Sequence, residues 1–490
     1  MRESGILMHI SSLPSPGGIG TLGAEAYEFA DFLFAAGMRI WQVLPIGPTG
    51  YGESPYQSAS TFAGNPLLID TRLLRKSGLL SGTDKDDYVP EEDDRVDYDS
   101  VRLNKTVLLR RAYSESAGRL AGEIAAFRAK NAWVDDFALF TAVKEHFGNI
   151  MWSKWPDDGI RLRRPEAVEA YREQLKDDIG YHIFVQYIFR KQWFDLKKYC
   201  NDRGISLFGD MPIYVAEDSA DTWTHPEVFR LDKNRIPKAV AGVPPDYFSE
   251  DGQLWGNPLY RWKYLRLHGY GWWVERMRGM AELYDMIRVD HFIGFANFYS
   301  VKYGMPNARV GRWIKGPGKH LFMKLNKELP GLNVIAEDLG CVNDRVQRLL
   351  DWCGYPGMRV LSFGFGSGKE NRHAPGGYPA NSIAYTGTHD NDTVLSWAEH
   401  ADKNTLDDAK KQLGFTDVKD APEAFVKALF ACESDRVIVP MQDLLGLGGK
   451  ARMNLPGTTG GNWLWRMQPG CLTTDLVLRL IGLNKSNNRG

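Results

Sequence analysis

The chain has 490 residues, of which 43% are hydrophobic and 25% charged, with 60 basic against 61 acidic side chains. That is a globular composition, and the near-neutral balance argues against nucleic acid or an anionic membrane as the main partner. Five scattered cysteines without a Cys-x-x-Cys pair, and no apolar run of membrane-spanning length, argue against a disulfide scaffold, a structural zinc and a membrane anchor. The first residues, Met1-Arg2-Glu3-Ser4-Gly5, are too few and too polar for a signal peptide, so a cytoplasmic location is expected. The length suits either three average domains or one large α/β barrel with insertions.

In chain order, residues 5–13 read as a buried strand, 22–37 as a helix with Phe29, Phe32 and Leu33 on one face, and 38–44 as a second buried strand. Strand, helix, strand is the seed of a parallel sheet. The loop after it, residues 45–58, is rich in Gly and Pro and carries Tyr51 and Tyr56 at the strand end where ligands bind in such folds. From about 65 to 204 the rhythm is lost, and the pattern predicts a mainly helical insertion. It resumes with a strand over 205–215, followed over about 216–258 by a long loop whose aromatics and glycines predict a lid. A helix over 260–280 leads to the strand within 284–294, and further strands are predicted over 333–339, 357–365, 382–388 and 436–443. Eight strands separated mostly by helices predict an α/β fold, a (β/α)8 TIM barrel with inserted helical subdomains and long active-site loops, forming one catalytic domain over 1–490.

Three of these strands end in acid. Arg288 and Asp290 share one face of the fourth, since side chains alternate along a strand. A carboxylate beside a permanent guanidinium is held as the anion, which suits a nucleophile. A lone Arg-x-Asp is more often a structural ion pair; what turns the balance is that the fifth strand ends in Glu337-Asp338 and the seventh in His389-Asp390-Asn391. Ends of different barrel strands converge on one cleft. Crowded carboxyls raise one another's pKa, so one stays protonated while an arginine-paired neighbour stays ionised, a division that suits glycosidic bond chemistry. Asp290 would attack the anomeric carbon, a protonated acid from the fifth strand would serve the departing oxygen, and Asp390 would grip ring hydroxyls. Alternation does not choose between Glu337 and Asp338. The 15 Trp and 21 Tyr add surfaces on which sugar rings stack. The ten histidines form no metal-ligand cluster, and two Gly-rich segments (364–370 and 446–450) lack the spacing of a phosphate loop.

These segments, Arg288-Val289-Asp290-His291, Ala336-Glu337-Asp338-Leu339-Gly340 and Tyr385-Thr386-Gly387-Thr388-His389-Asp390-Asn391-Asp392-Thr393, resemble the strand-end motifs of the 4-α-glucanotransferases of the amylomaltase, or disproportionating enzyme, family, relatives of the α-amylases. Ser11-Ser12-Leu13-Pro14, Gly50-Tyr51-Gly52-Glu53-Ser54-Pro55-Tyr56, Gly209-Asp210-Met211-Pro212-Ile213, Pro356-Gly357-Met358-Arg359 and Arg452-Met453-Asn454-Leu455-Pro456-Gly457-Thr458 are similar to it as well. The resemblance implies Asp290 as nucleophile, Glu337 as acid/base and Asp390 as transition-state stabiliser. It further implies that Tyr56, Asp210, Arg288, His291, His389, Tyr51, Tyr247, Trp255 and Asn462 bind substrate, with no cofactor and no metal. The implied partners are α-1,4-glucans and maltooligosaccharides, with glucose as an acceptor. An α-amylase-like hydrolase with the same three acids is the alternative; a barrel that only binds glucan would not need all three.

Overall fold

The computed structural model describes residues 2–87, 94–245, 249–340, 342–368 and 371–490. Eight parallel strands close a barrel: β1 (Glu3–Leu7), β2 (Ile40–Gln42), β3 (Ser206–Met211), β4 (Met286–Val289), β5 (Val334–Ala336), β6 (Gly357–Val360), β7 (Ser382–Tyr385) and β8 (Arg436–Pro440). Each strand pairs with its neighbours in chain order, and β8 closes on β1 with Glu3 opposite Arg436 and Leu7 opposite Pro440. Ile6, Ile40, Phe208, Ile287, Ile335, Met358, Ile383 and Val437 are fully or almost fully buried, as strands covered on both faces require. The strands are shorter than their apolar runs. β1 stops at Leu7, where Gln42 and Pro440 are the last partners on either side, and a 3-10 turn, Ile10–Ser12, follows within the same apolar run.

Between β2 and β3 the chain forms helices including Tyr98–Ser116, Trp133–His146 and Lys176–Asn201. The last of these is the longest and joins the insertion to the barrel. It buries Trp193 and Leu196, and Trp193 Nε1 donates to the Leu283 carbonyl at 3.1 Å. Two of its glutamines hold the segment leaving β2 like strand partners. Gln186 accepts from Gly64 N at 2.7 Å and donates to Gly64 O at 2.9 Å; Gln192 does the same to Asp70 at 2.8 and 2.9 Å. Buried backbone outside regular structure is thereby satisfied by side chains.

Two expectations need correction. The helix over 260–280 is two helices, Trp262–Leu267 and Gly271–Leu283, because Gly269 and Tyr270 both take left-handed backbone (φ 63° and 56°) that ends the first. The stretch after β3 is not loop throughout. Ala239–Val243 and Gln253–Pro258 are antiparallel strands of a four-stranded sheet completed by Asn297–Lys302 and Gly311–Lys315 from the segment after β4. Among the described residues no helix is long and apolar enough to cross a membrane.

Candidate active site

The register of β3 and β4 sets Asp210 opposite Arg288, and that of β4 and β5 sets Val289 opposite Ala336, so the strand ends carrying the charges are adjacent. Arg288 Nη1 lies 2.6 Å from Asp210 Oδ2 and 3.0 Å from Asp290 Oδ1, with Arg288 and Asp210 buried and the Asp290 side chain 27% exposed. Burial opposes the charge on Arg288, but the two carboxylates outweigh it and hold the guanidinium well above its ordinary pKa. Tyr56 from the loop after β2 donates its hydroxyl to the same Asp210 Oδ2 at 2.7 Å. Tyr56, Asp210, Arg288 and Asp290 thus form one connected chain. Asp290 Oδ2 has no donor among the described residues.

Glu337 follows β5 directly. His291 N donates to its Oε2 and Leu339 N to its Oε1, both at 2.7 Å. His291 itself takes a left-handed backbone (φ 48°), a conformation that costs a non-glycine residue about 1–2 kcal/mol. Burial pushes the Glu337 carboxyl up to about 8; Arg288 pulls against this and Asp290 adds to it. At neutral pH it is mainly a protonated acid next to an arginine-paired carboxylate. His291 is itself pushed down to about 4 by burial, so its ring is neutral, and it stands edge-on to Trp255 with ring centres 4.8 Å apart.

Asp338 points the other way. Its Oδ1 accepts from Met358 N on β6 at 2.7 Å, and its Oδ2 takes Arg372, with Arg359 3.8 Å away. A Cβ on Gly357 would sit 2.5 Å from Asp338 Oδ2, so only glycine lets β6 come this close. Of the two adjacent carboxyls, Asp338 ties β5 to β6, and Glu337 joins the charged group around Arg288.

On the opposite wall, Asn391 Oδ1 accepts from Thr388 N at 2.8 Å and Thr388 Oγ1 at 2.9 Å, closing the tight turn that presents His389 and Asp390. Buried Asp443, after β8, grips both ends of this segment, accepting from Thr386 Oγ1 at 2.6 Å and Val394 N at 2.8 Å; burial pushes its carboxyl up to about 6. His389 stacks on Tyr56 (5.1 Å, 15°), and Trp463 lies against both rings. His389 Nε2 is 3.4 Å from Asp390 Oδ1. Behind it His9 is pushed down to about 3, by burial first and then by His389. The loop after β8 reaches back to Asp390 through Arg452 and Asn454.

The structure therefore brings together Asp290, Glu337, Arg288, Asp210, Tyr56, His291 and Trp255, and joins His389 and Asp390 to them through Tyr56. Tyr51 stands apart on the 3-10 turn Tyr51–Glu53, 79% exposed. Asn462 closes the loop after β8, accepting from Leu455 N at 2.9 Å and donating to Thr458 Oγ1 at 2.9 Å. Tyr247 lies outside the described residues. Sequence reasoning assigned no role to Trp463, Asn454 or Asp443. The first two lie in or beside a Gly-rich segment with no periodicity to announce them, and Asp443 reads as the end of an ordinary strand. Among the described residues no group of three or more His, Cys, Asp or Glu side chains is placed to hold a metal ion.

Comparison with known proteins gives a consistent result. The profile of a family described as 4-alpha-glucanotransferase matches residues 8–473. The 4-alpha-glucanotransferase of Streptococcus pneumoniae serotype 4 is 45% identical over 98% of this chain and 96% of its own length. That of Thermus thermophilus is 43% identical over 100% of this chain and 99% of its own. Among solved structures, an amylomaltase from Streptococcus agalactiae in complex with acarbose superposes with a TM-score of 0.97 at 42% identity, each chain covered in full.

Proposed function

The chain belongs to the 4-alpha-glucanotransferase family, and we propose from that premise that it disproportionates maltooligosaccharides, moving α-1,4-glucan segments to the 4-hydroxyl of another glucan or of glucose with retained configuration. The observation that carries the reading is the contrast between Asp290, ion-paired with Arg288, and Glu337, raised to about 8 by burial beside it. A nucleophile and an acid are needed at once, and one environment supplies both.

In the first step the free oxygen of Asp290 attacks the anomeric carbon as the bond to the departing O4 breaks. That oxygen takes the proton of Glu337, and the sugar remains esterified to Asp290. In the second step the 4-hydroxyl of an acceptor attacks the same carbon. Its proton passes to the Glu337 carboxylate, the ester bond breaks, and Asp290 is restored. Asp390 accepts hydroxyls of the sugar as its ring flattens and positive charge develops. His389, Trp255 and the neutral ring of His291 border the same cleft, and aromatic edges there favour a sugar acceptor over water. Tyr51 and Asn462 bind the glucan further from the cleavage point, and Tyr247 is a further glucan contact implied by the family resemblance. The described cysteines are free thiols, which fits a cytoplasmic setting.

Maltotriose as sole substrate tests the proposal. A ladder of longer glucans with glucose, at constant total reducing ends, is the expected result. Rising reducing ends without longer products would make the protein a hydrolase.

A further inference from the structure

We infer that Asn454 is a positioning residue for Asp390, aiming the carboxylate at the sugar; the inference rests on the reading of Asp390 as the stabilising group. The problem it solves is visible in the site. Asp290 is fixed by a buried arginine and Glu337 by two backbone N–H groups, but Asp390 sits on a turn with its side chain 44% exposed and with no arginine or lysine paired to its carboxylate among the described residues. A short side chain there has rotamers to choose from, and every wrong one loses the sugar contact.

Asn454 removes that freedom. Its Nδ2 donates to Asp390 Oδ1 at 2.7 Å, leaving Oδ2 without a donor among the described residues. The amide orientation follows from chemistry, since the asparagine oxygen would be repelled by the carboxylate. Asn454 is in turn fixed to the segment it serves. Its backbone N–H donates to the His389 carbonyl at 3.1 Å. Arg452 spans the two residues, donating from Nε to Asn454 O at 2.8 Å and from Nη2 to Asp390 O at 2.7 Å. One loop thus grips the main chain of His389, the main chain of Asp390 and the side chain of Asp390. The donor that touches the carboxylate is a neutral amide. A guanidinium there would orient Asp390 equally well but would cancel the negative charge that faces the developing cation.

The test uses the full chain with Asn454→Ala, Asn454→Asp and Asp390→Ala, followed by maltotriose disproportionation across pH and by melting temperature. Asn454→Ala is expected to lower kcat about tenfold, the usual scale for losing one hydrogen bond to a charged group, with KM nearly unchanged. In Asn454→Asp two carboxyls share the position of one hydrogen bond, so they hold one proton between them. With that proton bound the donor is restored and activity approaches that of the unaltered protein; when it leaves, activity falls. The alkaline limb therefore moves to lower pH in Asn454→Asp but not in Asn454→Ala, a difference that loss of stability would not produce. Asn454→Ala combined with Asp390→Ala should be no slower than Asp390→Ala alone. Unchanged kcat in a folded Asn454→Ala would overturn the inference. If that variant does not fold, the near-isosteric Asn454→Asp decides, and a pH profile coincident with that of the unaltered protein overturns it. Full activity in Asp390→Ala would instead remove the reading of Asp390 itself.

Discussion

The two walls of the cleft are built on different principles. On the β4–β5 wall the functional groups are rooted in the barrel: Arg288 lies within its strand, Asp290 and Glu337 follow directly, Arg288 is ion-paired with Asp290, and burial keeps Glu337 protonated. On the β7–β8 wall Asp390 stands on a turn, and what holds it comes from a loop more than sixty residues later. The first wall shapes electrostatics and the second shapes geometry. Substitutions on the first should change the charge available for chemistry, and those on the second should change how often the groups are in place.

The largest effect is expected at Asp290. Asp290→Ala removes the proposed nucleophile and should lower kcat by about 10⁵-fold, comparable to losing the nucleophile of other covalent mechanisms, while glucan binding measured by calorimetry persists. Appreciable turnover by this variant would place the nucleophile elsewhere. Next is the contrast between neighbours. Glu337→Gln should lower maltotriose turnover by about 10³-fold, within the range for losing general acid–base catalysis. Asp338→Asn should instead leave Arg372 and the β6 amide without their anion and cost about 3 kcal/mol of stability, read by denaturant unfolding, with kcat largely kept. If the two substitutions exchanged phenotypes, the assignment of the pair would be reversed. A smaller change is expected for Tyr56→Phe, which removes one hydrogen bond to Asp210 and should lower kcat/KM about tenfold.

The pH dependence sharpens the same comparison. Glu337 is raised to about 8, so its proton is present through neutral pH and is lost as pH rises through that value. Activity should therefore fall on the alkaline side near 8 in single-turnover as well as steady-state assays. A decline beginning near pH 5 would mean that the carboxyl is not shielded as the structure shows.

The barrel was largely legible because its signal is local. Short apolar segments separated by helical patterns announce β1 to β8, and three of them end in acids whose convergence follows from barrel geometry. Alternation correctly set Glu337 and Asp338 on opposite sides without saying which faced the cleft. That choice shows in the bond from His291 N to Glu337 and in the close approach of Gly357 to Asp338, neither of which has a periodic signature. The four-stranded sheet escaped for a related reason. Ala239–Val243 finds its partner in Asn297–Lys302, across β4, and its small residues read locally as loop. Asn454 lay inside a recognisable motif, but a side chain acting on a strand end sixty residues earlier has no local mark. Tyr51 and Asn462 rest on family resemblance more than on any contact with the three acids.

In the proposed mechanism a sugar passes through a covalent bond to Asp290. The most direct measurement is intact-mass spectrometry of Glu337→Gln after incubation with α-maltosyl fluoride. Fluoride departs without needing a proton, and the base for the second step is missing, so the intermediate should accumulate. A mass gain of one maltosyl unit, localised by peptide mapping to Asp290, is expected. Fluoride release with no adduct, or an adduct on another residue, would contradict it.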